Sequence, residues 1–429
     1  MFRFTRSQPQ PIGLDIGVDG VRMIQFEVIT GGSASASPSL KVVAAARKEF
    51  PVELRDADGA SDDERLNCAR DLIGRMLSQH PFHGRAVVTS LPRNIVSFKN
   101  LRLPVMPAVE LDAAIRFESR NIFSFDTEQA RIDYLPAGEV RHGGDVRQEV
   151  IVIAAQNADV NGYIEKLHRC GVVIASLDVA PCALFRCVER FVRRREDEQE
   201  VQVLIDIGAR TSQMIIGRGR EISFYKSIEI GGRHFNDAVA RKLGITFDEA
   251  RALRRRFVET LDPATDGRER DAVRQAVYDA TRSTIENLGR EIAMCLRYHS
   301  VTFRGHRPAR LRLVGGEAQD VQIQTLLAAA VNVPVEVGKP LYSVNTSAMS
   351  ATDQKTPMSE WATAMGLGLK LTRQRFAPRD GKPRDPGAVT PAGSSVEVID
   401  IDAAVASSGG VSAPVAPSAG RAVEEVARA

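Results

Sequence analysis

Residues 15–24 read DIGVDGVRMI, and residues 206–215 read DIGARTSQMI. The two stretches are identical at five of ten ungapped positions. Each follows an apolar run and precedes another, which predicts a strand, a tight turn and a second strand. One such hairpin is more often an ordinary Asp-x-Gly turn than a binding site. The repetition at equivalent places reverses that preference and predicts two related half-domains that face each other.

The residue types at these two turns suit phosphate binding. Gly17 and Gly208 let the backbone approach a ligand closely, and successive amides of such a turn form an anion-binding nest. The carboxylates of Asp15 and Asp206, just before the glycines, would hold a hydrated Mg²⁺ between the half-domains. The two hairpins therefore predict a phosphate and magnesium site.

A third turn lies in the stretch LVGGEA at 313–318, where a predicted strand enters the Gly315–Gly316 pair. Glycines at this place would let an adenine base lie flat against the main chain. A single diglycine is weak evidence. Its weight comes from its position after the two Asp-x-Gly hairpins.

Hydrophobic periodicity divides the chain into four parts. It predicts helices at 63–79 and 268–299 and strands near 131–135 and 149–155, and Ile285, Leu288, Ile292 and Leu296 mark one buried face of the second helix. A charged run at 193–200 is interpreted as a solvated linker, and an amphipathic stretch at 357–371 as the last helix of the folded body. The parts are a series of strands and a helix within 11–93, a compact α+β segment at 94–176 followed by a connecting helix near 180–191, a second series of strands and helices within 201–356, and a tail at 375–429 that is rich in Pro, Gly, Ser and Ala and is predicted to be disordered.

Composition narrows the class of protein. Hydrophobic residues make up 43% and charged residues 26% of the 429-residue chain, as in globular proteins with a core. A net charge of +3 gives no electrostatic basis for a nucleic-acid partner. The sequence shows neither a signal peptide nor an apolar run of about 20 residues. We expect a cytoplasmic protein that reaches a membrane only through a partner.

The five cysteines fit the same compartment. They are scattered and odd in number, and none forms a CxxC pair. Cys182 and Cys187 lie in the apolar run APCALFRC, where reduced core thiols are the expected state.

The three turns, in this order, resemble those of the actin-like ATPase superfamily, and within it the chain is most similar to the PilM family of type IV pilus assembly proteins. The likeness covers about 11–371. It implies an α/β fold, actin-like (ribonuclease H-like), with two duplicated lobes, a small inserted α+β subdomain and a disordered C-terminal tail. In this fold 11–93 would form the first lobe, to which helices 177–192 and 357–371 return, 94–176 the inserted subdomain, and 201–356 the second lobe with a helical subdomain at 233–305. The segments that carry it are LPRNIVSFKNLRLP at 91–104, ELDAAIRFES at 110–119, IEIGGRHFNDAVARKLGI at 228–245 and ATAMGLGLK at 362–370.

The resemblance implies ATP and Mg²⁺ as ligands and assigns no catalytic residue, so the expected activity is at most that of a slow ATPase. Asp15 and Asp206 would bind the metal through water. The implied nucleotide site comprises Asp15, Gly17, Val18, Asp19 and Arg22 at the first turn, Asp206, Gly208, Arg210 and Thr211 at the second, Gly231, Gly232, Arg251 and Arg254 along the cleft, and Gly315, Gly316 and Glu317 at the adenosine turn.

Several of these residues depart from the family pattern. Val18 and Asp19 stand where the family has serines, and a carboxylate beside phosphate costs binding unless Mg²⁺ or Arg22 compensates. Arg251 replaces a glutamate that meets the ribose, Arg254 a lysine beside adenine, and Glu317 a third glycine. The departures favour a structural or regulatory nucleotide over rapid hydrolysis.

The resemblance also implies partners. The first is a PilN-like inner-membrane protein, whose cytoplasmic N-terminal tail would lie in a groove within 94–176 and its junction with the first lobe. Other inner-membrane and motor components of the pilus machine and a homo-oligomer are further expectations.

Three alternatives remain at the level of sequence. An active ATPase or sugar-kinase-like phosphotransferase should show a substrate-side general base, and we identify none. An FtsA-like filament former should end in an amphipathic membrane helix, whereas 375–429 lacks a strong apolar face. The cytoplasmic half of a type II secretion protein would need a transmembrane span after it.

Overall fold

The structure, a computed structural model, describes residues 9–29, 39–55, 62–142, 144–192, 194, 196–259, 267–303, 307–372, 397–399, 402 and 405. The strands are β1 Ile12–Ile16, β2 Gly20–Ile29, β3 Ser39–Glu49, β4 Ala86–Ser90, β5 Ser97–Pro104, β6 Ala130–His142, β7 Asp145–Gln156, β8 Val173–Asp178, β9 Val201–Ile207, β10 Ser212–Arg218, β11 Glu221–Ile228, β12 Leu311–Val314, β13 Val335–Val337, β14 Val344–Asn345 and β15 Glu397–Ile399. The α-helices are α1 Val52–Arg55, α2 Asp62–Gln79, α3 Ala108–Ile122, α4 Asn157–Arg169, α5 Ala180–Glu189, α6 Gly232–Leu243, α7 Phe247–Glu259, α8 Gly267–Phe303, α9 Val321–Val331, α10 Ala351–Gln354 and α11 Ala362–Leu369. No helix among these described residues is long and apolar enough to cross a bilayer.

The first lobe is built on a six-stranded sheet of order β14-β3-β2-β1-β4-β8. Strands β1, β2 and β3 form an antiparallel meander, and β4 and β8 then add in parallel on the other side of β1. Helices α2 and α4 cover one face, where Leu14, Ile73 and Leu167 share a buried cluster. The helical spacing of the apolar residues in α2 predicted this helix from the sequence.

The second lobe repeats this topology. Its sheet has the order β11-β10-β9-β12-β13, again an antiparallel meander of three strands followed by two parallel strands beside the first. On α8, Ile285, Leu288 and Ile292 form the predicted buried face and pack on the sheet. Apart from β14 at the edge of the first sheet, the two sheets have the same connectivity, which confirms the predicted fold: an α/β, actin-like, duplicated two-lobe architecture.

A smaller antiparallel sheet lies between β4 and β8 in the chain, as the predicted inserted α+β subdomain requires. Its order is β15-β5-β7-β6, and α3 packs on it through Leu111 and Ile115. The hairpin β6–β7 is longer than the strands predicted near 131–135 and 149–155. Phe98 of β5 contacts Tyr225 of β11 with ring centroids 4.5 Å apart, so the subdomain touches the second lobe.

A central core joins the two large sheets. It contains Phe26 from the first sheet, Leu204 from the second, and residues of α5 and α11 between them. The amphipathic character predicted for 357–371 is wrong: seven of the eight residues of α11 are buried, because this helix lies between the lobes with no solvent face.

The predicted disordered tail at 375–429 lies outside the described residues except at 397–399, 402 and 405. There β15 pairs with β5, and Val405 joins the core of the second lobe at 1% exposure. The structure departs from the predicted disorder at these five residues. Their contacts are made with chain segments that are remote in sequence, which local composition does not reveal.

We expect Gly366→Ala to destabilise the protein. A Cβ at this position would lie 1.7 Å from the carbonyl oxygen of Ala183 on α5, so the helices must separate. Overpacking of this kind costs about 1–3 kcal/mol. Urea denaturation measures the loss. Gly74→Ala on α2 is the control: its Cβ would meet nothing within 4 Å, and the change should stabilise by up to about 1 kcal/mol. Equal stabilities of the two variants would contradict this packing.

Candidate functional site

The two Asp-x-Gly hairpins form turns of the same geometry. The amide of Gly17 donates to the carbonyl oxygen of Gly20 at 2.9 Å, and the amide of Gly208 donates to that of Thr211 at 3.1 Å. Each turn joins the first two strands of its sheet. The sequence repeat is therefore also a repeat of backbone conformation.

Each turn places one carboxylate opposite a polar partner on the neighbouring strand. Asp15 pairs in register with Arg22, and Asp206 with Gln213. Arg22 Nη1 lies 3.7 Å from Asp15 Oδ2, and Gln213 Nε2 donates to Asp206 Oδ2 at 3.3 Å. The sequence search missed Gln213, although the repeat aligns it with Arg22 and could have identified it.

The two carboxylates act on each other across the cleft. Burial raises the pKa of Asp206 to about 6, and the charge of Asp15 adds to the increase, against Arg22 and the Gln213 hydrogen bond. Burial also raises the pKa of Asp15, and Arg22 opposes it. A divalent cation would relieve this repulsion, and oxygen donors suit Mg²⁺. The residues therefore fit the predicted metal, although no group of three possible ligands occurs among the described residues.

The start of α6 closes onto the second turn. The amide of Gly232 donates to the carbonyl oxygen of Gly208 at 2.9 Å. A Cβ on Gly231 would lie 2.7 Å from the backbone of Arg210 and of Thr211, so only glycine fits this contact. The amide of Arg233 likewise donates to the carbonyl oxygen of Ala209 at 2.7 Å, so the first amides of α6 hold the second turn in place.

The third turn meets the second at the carboxylate. Gly315 has a φ of +90°, and a Cβ there would lie 2.5 Å from Asp206 Oδ1. Gly316 is open, with nothing within 4 Å of such a Cβ. The predicted adenosine turn therefore lies directly beside the second phosphate turn.

A buried cation–carboxylate network lies on the side of the cleft next to Gly315 and Gly316. Arg254, 5% exposed, donates from Nη2 to Glu317 Oε2 at 2.5 Å and from Nη1 to Asn236 Oδ1 at 2.7 Å, and it lies 3.5 Å from Asp320. A Cβ on Gly232 would lie 2.3 Å from the carboxylate oxygen Oε1 of Glu317, so only glycine leaves room for this carboxylate. The departures Arg254 and Glu317 are therefore partners of each other.

The other two charged departures also pair. Arg251 Nη2 on α7 lies 3.4 Å from Asp19 Oδ2 in the first turn, and beside it Arg255 donates to Glu49 at 2.8 Å. Both pairs connect the second lobe to the first across the mouth of the cleft. Asp19 thus has its compensating charge on the facing lobe, where sequence spacing gave no sign of it. Asn236, Asp320, Glu49 and Arg255 were likewise missed by the sequence search.

The structure brings the predicted site residues of all three turns to one cleft. Val18 lies half-buried within the first turn, and Arg210 and Thr211 lie within the second. Their assignment to a nucleotide stays a prediction. What the geometry establishes is a cleft with two glycine turns, two facing carboxylates and a set of internal ion pairs.

Duplicated sheets with facing glycine turns define an actin-like protein. A sequence model of the family described as "Type IV pilus assembly protein PilM" matches residues 13–372, and the chain belongs to this family. Comparison with curated protein sequences gives no match.

The chain is also similar to solved structures. The PilM-PilN type IV pilus biogenesis complex is 23% identical, with 86% of this chain and 99% of that chain covered at a TM-score of 0.66. The ethanolamine utilization protein EutJ from Carboxydothermus hydrogenoformans is 15% identical, with 84% and 89% covered and a TM-score of 0.46. MreB 5 of Spiroplasma citri bound to AMPPNP is 13% identical, with 86% and 97% covered and a TM-score of 0.42.

The buried carboxylates predict a pH dependence of stability. Because the folded protein holds the Asp206 proton above the ordinary pKa of 3.8, it binds more protons than the unfolded chain up to about 6. The free energy of unfolding should therefore fall, by roughly 2–3 kcal/mol, as pH rises through that window. Urea denaturation of the wild type and of Asp206→Asn measures it, and the variant should lose most of the slope.

The control for this experiment is Asp271→Asn, a change at an exposed residue of α8. It should keep the slope of the wild type. An Asp206→Asn protein with the same pH dependence as the wild type would contradict the raised pKa of Asp206.

Proposed function

We propose that this protein is a cytoplasmic adaptor of a type IV pilus assembly machine that binds the cytoplasmic N-terminal tail of a PilN-like inner-membrane protein. The observation that carries the proposal is the family match over 13–372. The similar structure of which the match covers 99% is a PilM–PilN complex, and this supports the same partner. Recruitment by this tail would hold the protein at the inner face of the membrane.

The partner surface that we propose lies on the inserted subdomain. Its helix α3 exposes two large apolar side chains, Val109 at 84% and Phe117 at 61%. Single exposed apolar residues are ordinary. Two on one helix, on a small subdomain that stands beside the first lobe, offer apolar anchors for an extended peptide.

We propose a regulatory nucleotide in the cleft. The two glycine turns would hold the phosphates, and Asp15 and Asp206 would bind Mg²⁺ through water, which would screen the phosphate charge. The cleft carboxylates already have cationic or amide partners: Arg22, Gln213, Arg251 and Arg254. None is set apart as a general base, so hydrolysis would be slow at most.

Partner binding is tested with a fluorescent peptide of the PilN-like protein's N-terminal tail. We expect Phe117→Ser to weaken binding by at least about tenfold, as for an aromatic anchor at the centre of an interface. Val301→Ser is the matched control, since Val301 on α8 of the second lobe is 71% exposed. Equal affinities of the two variants would show that the peptide does not bind at α3. The absence of binding by the wild type would contradict the adaptor proposal.

Nucleotide binding is tested by calorimetric titration with ATP and Mg²⁺. The Arg254–Glu317 pair must open for a base to enter, so we expect weak binding by the wild type and binding about tenfold tighter by Glu317→Ala, in which Asp320 still faces Arg254. The Asp15→Ala, Asp206→Ala double variant should not bind.

Glu336→Ala is the control for the titration, because Glu336 pairs with Arg312 on the surface of β13 at 3.0 Å. It should bind as the wild type does. If neither the wild type nor folded Glu317→Ala binds, the cleft is a scaffold without nucleotide.

A further inference from the structure

The outer edge of the inserted sheet is covered by the chain's own C-terminal segment. Glu397, Val398 and Ile399 pair antiparallel with Arg102, Leu101 and Asn100 of β5. The other neighbour of β5 is β7, so β15 is the outermost strand on this side. An edge strand presents unpaired amide and carbonyl groups that accept any extended chain of suitable pattern. Without residues 397–399, the edge of β5 would be such a surface.

Two further contacts fix the segment on the second lobe. Asp402 Oδ1 lies 2.7 Å from Lys226 Nζ on β11, whose side chain is only 10% exposed. Glu291 on α8 lies 3.7 Å from the same nitrogen. Burial lowers the pKa of Lys226, but the Asp402 hydrogen bond and these nearby carboxylates outweigh it and raise the pKa. The ammonium group therefore stays charged and selects a carboxylate.

The third contact is apolar. Val405 is 1% exposed and joins the core cluster that includes Phe224, Ile292 and Cys295. Strand pairing, an ion pair and a buried valine thus follow one another within nine residues, from 397 to 405. The first contact is with the inserted sheet and the other two are with the second lobe, so the segment connects these two bodies.

The sequence supports a discrete binding motif. Residues 394–407 read SSVEVIDIDAAVAS, and the acidic–apolar alternation stands between stretches rich in Pro, Gly, Ser and Ala. Three paired residues are few for a strand, and Asp402 is 85% exposed, so its ion pair adds little free energy. Docking is therefore weak in itself. Tethering to the body supplies an effective concentration on the order of millimolar, which keeps the site filled.

We infer that residues 397–405 are a displaceable self-ligand: a C-terminal strap that occupies, within the same chain, an acceptor site for an extended acidic peptide. The acceptor consists of the β5 edge, Lys226 and the apolar site of Val405. While docked, the strap closes this edge to other strands and holds the inserted subdomain to the second lobe. The inference uses neither the nucleotide nor the PilN-like partner.

The test uses the full-length protein and a fluorescent synthetic peptide of residues 394–407. Val405→Asp places a charge in an apolar site and should release the strap. We expect the peptide to bind this variant about tenfold more tightly than the wild type, since the tethered competitor is gone. Hydrogen exchange of the amides at 100–102 should become faster in the variant. Val415→Asp, in the same tail but outside the strap, should behave as the wild type in both measurements.

A second variant controls for an effect of the Val405→Asp charge on the acceptor itself. Val398→Pro removes a strand amide and leaves Lys226 and the apolar site unchanged, so it too should admit the peptide. A peptide in which Asp402 is replaced by Lys should bind both variants more weakly than the unchanged peptide, because it places a second ammonium group beside Lys226. Equal peptide affinity in wild type and both variants, unchanged exchange at 100–102, or a wild-type dimer that both variants dissociate would overturn the inference of a strap docked in cis.

Discussion

The close approach of three backbone segments between the lobes is the constraint on which the remaining structure depends. Gly366 of α11 faces the Ala183 carbonyl of α5, and Gly13 of β1 faces Ala364 of α11, each too closely for a side chain. Because α5 and α11 share one core with both sheets, this contact sets the distance between the lobes. The two Asp-x-Gly turns can face each other only at that distance.

Charged side chains inside the cleft pair mainly with one another. Asp15 and Asp206 face each other at raised pKa, with Arg22 and Gln213 beside them. Arg254 neutralises Glu317, and Arg251 neutralises Asp19 across the mouth. Buried charges are stable only when paired. A nucleotide bound as proposed would exchange these internal partners for its own phosphates and base, which suits a cleft that responds to a ligand more than one that turns it over quickly.

The inserted subdomain is in direct contact with the second lobe, which forms one side of the cleft. Phe98 packs on Tyr225, and the strap joins the β5 edge to Lys226 and to the core of the second lobe. A change in the angle between the lobes would therefore reach the subdomain through β11 and α8. An adaptor that carries its partner site on this subdomain would have a direct physical connection between cleft and partner.

The sequence by itself determined the duplication, because identical turn residues recur at Asp15 and Asp206 and local hydrogen bonding decides turn geometry. It also determined the helices with a clear apolar face, such as α2 and α8. Only the tertiary structure decided that Asp19 pairs with Arg251 and Glu317 with Arg254, that α11 is buried on every side, and that residues 397–399, 402 and 405 contact the inserted sheet and the second lobe. Each of these depends on contacts between residues far apart in the chain, and local periodicity carries no information about which distant partner a side chain meets.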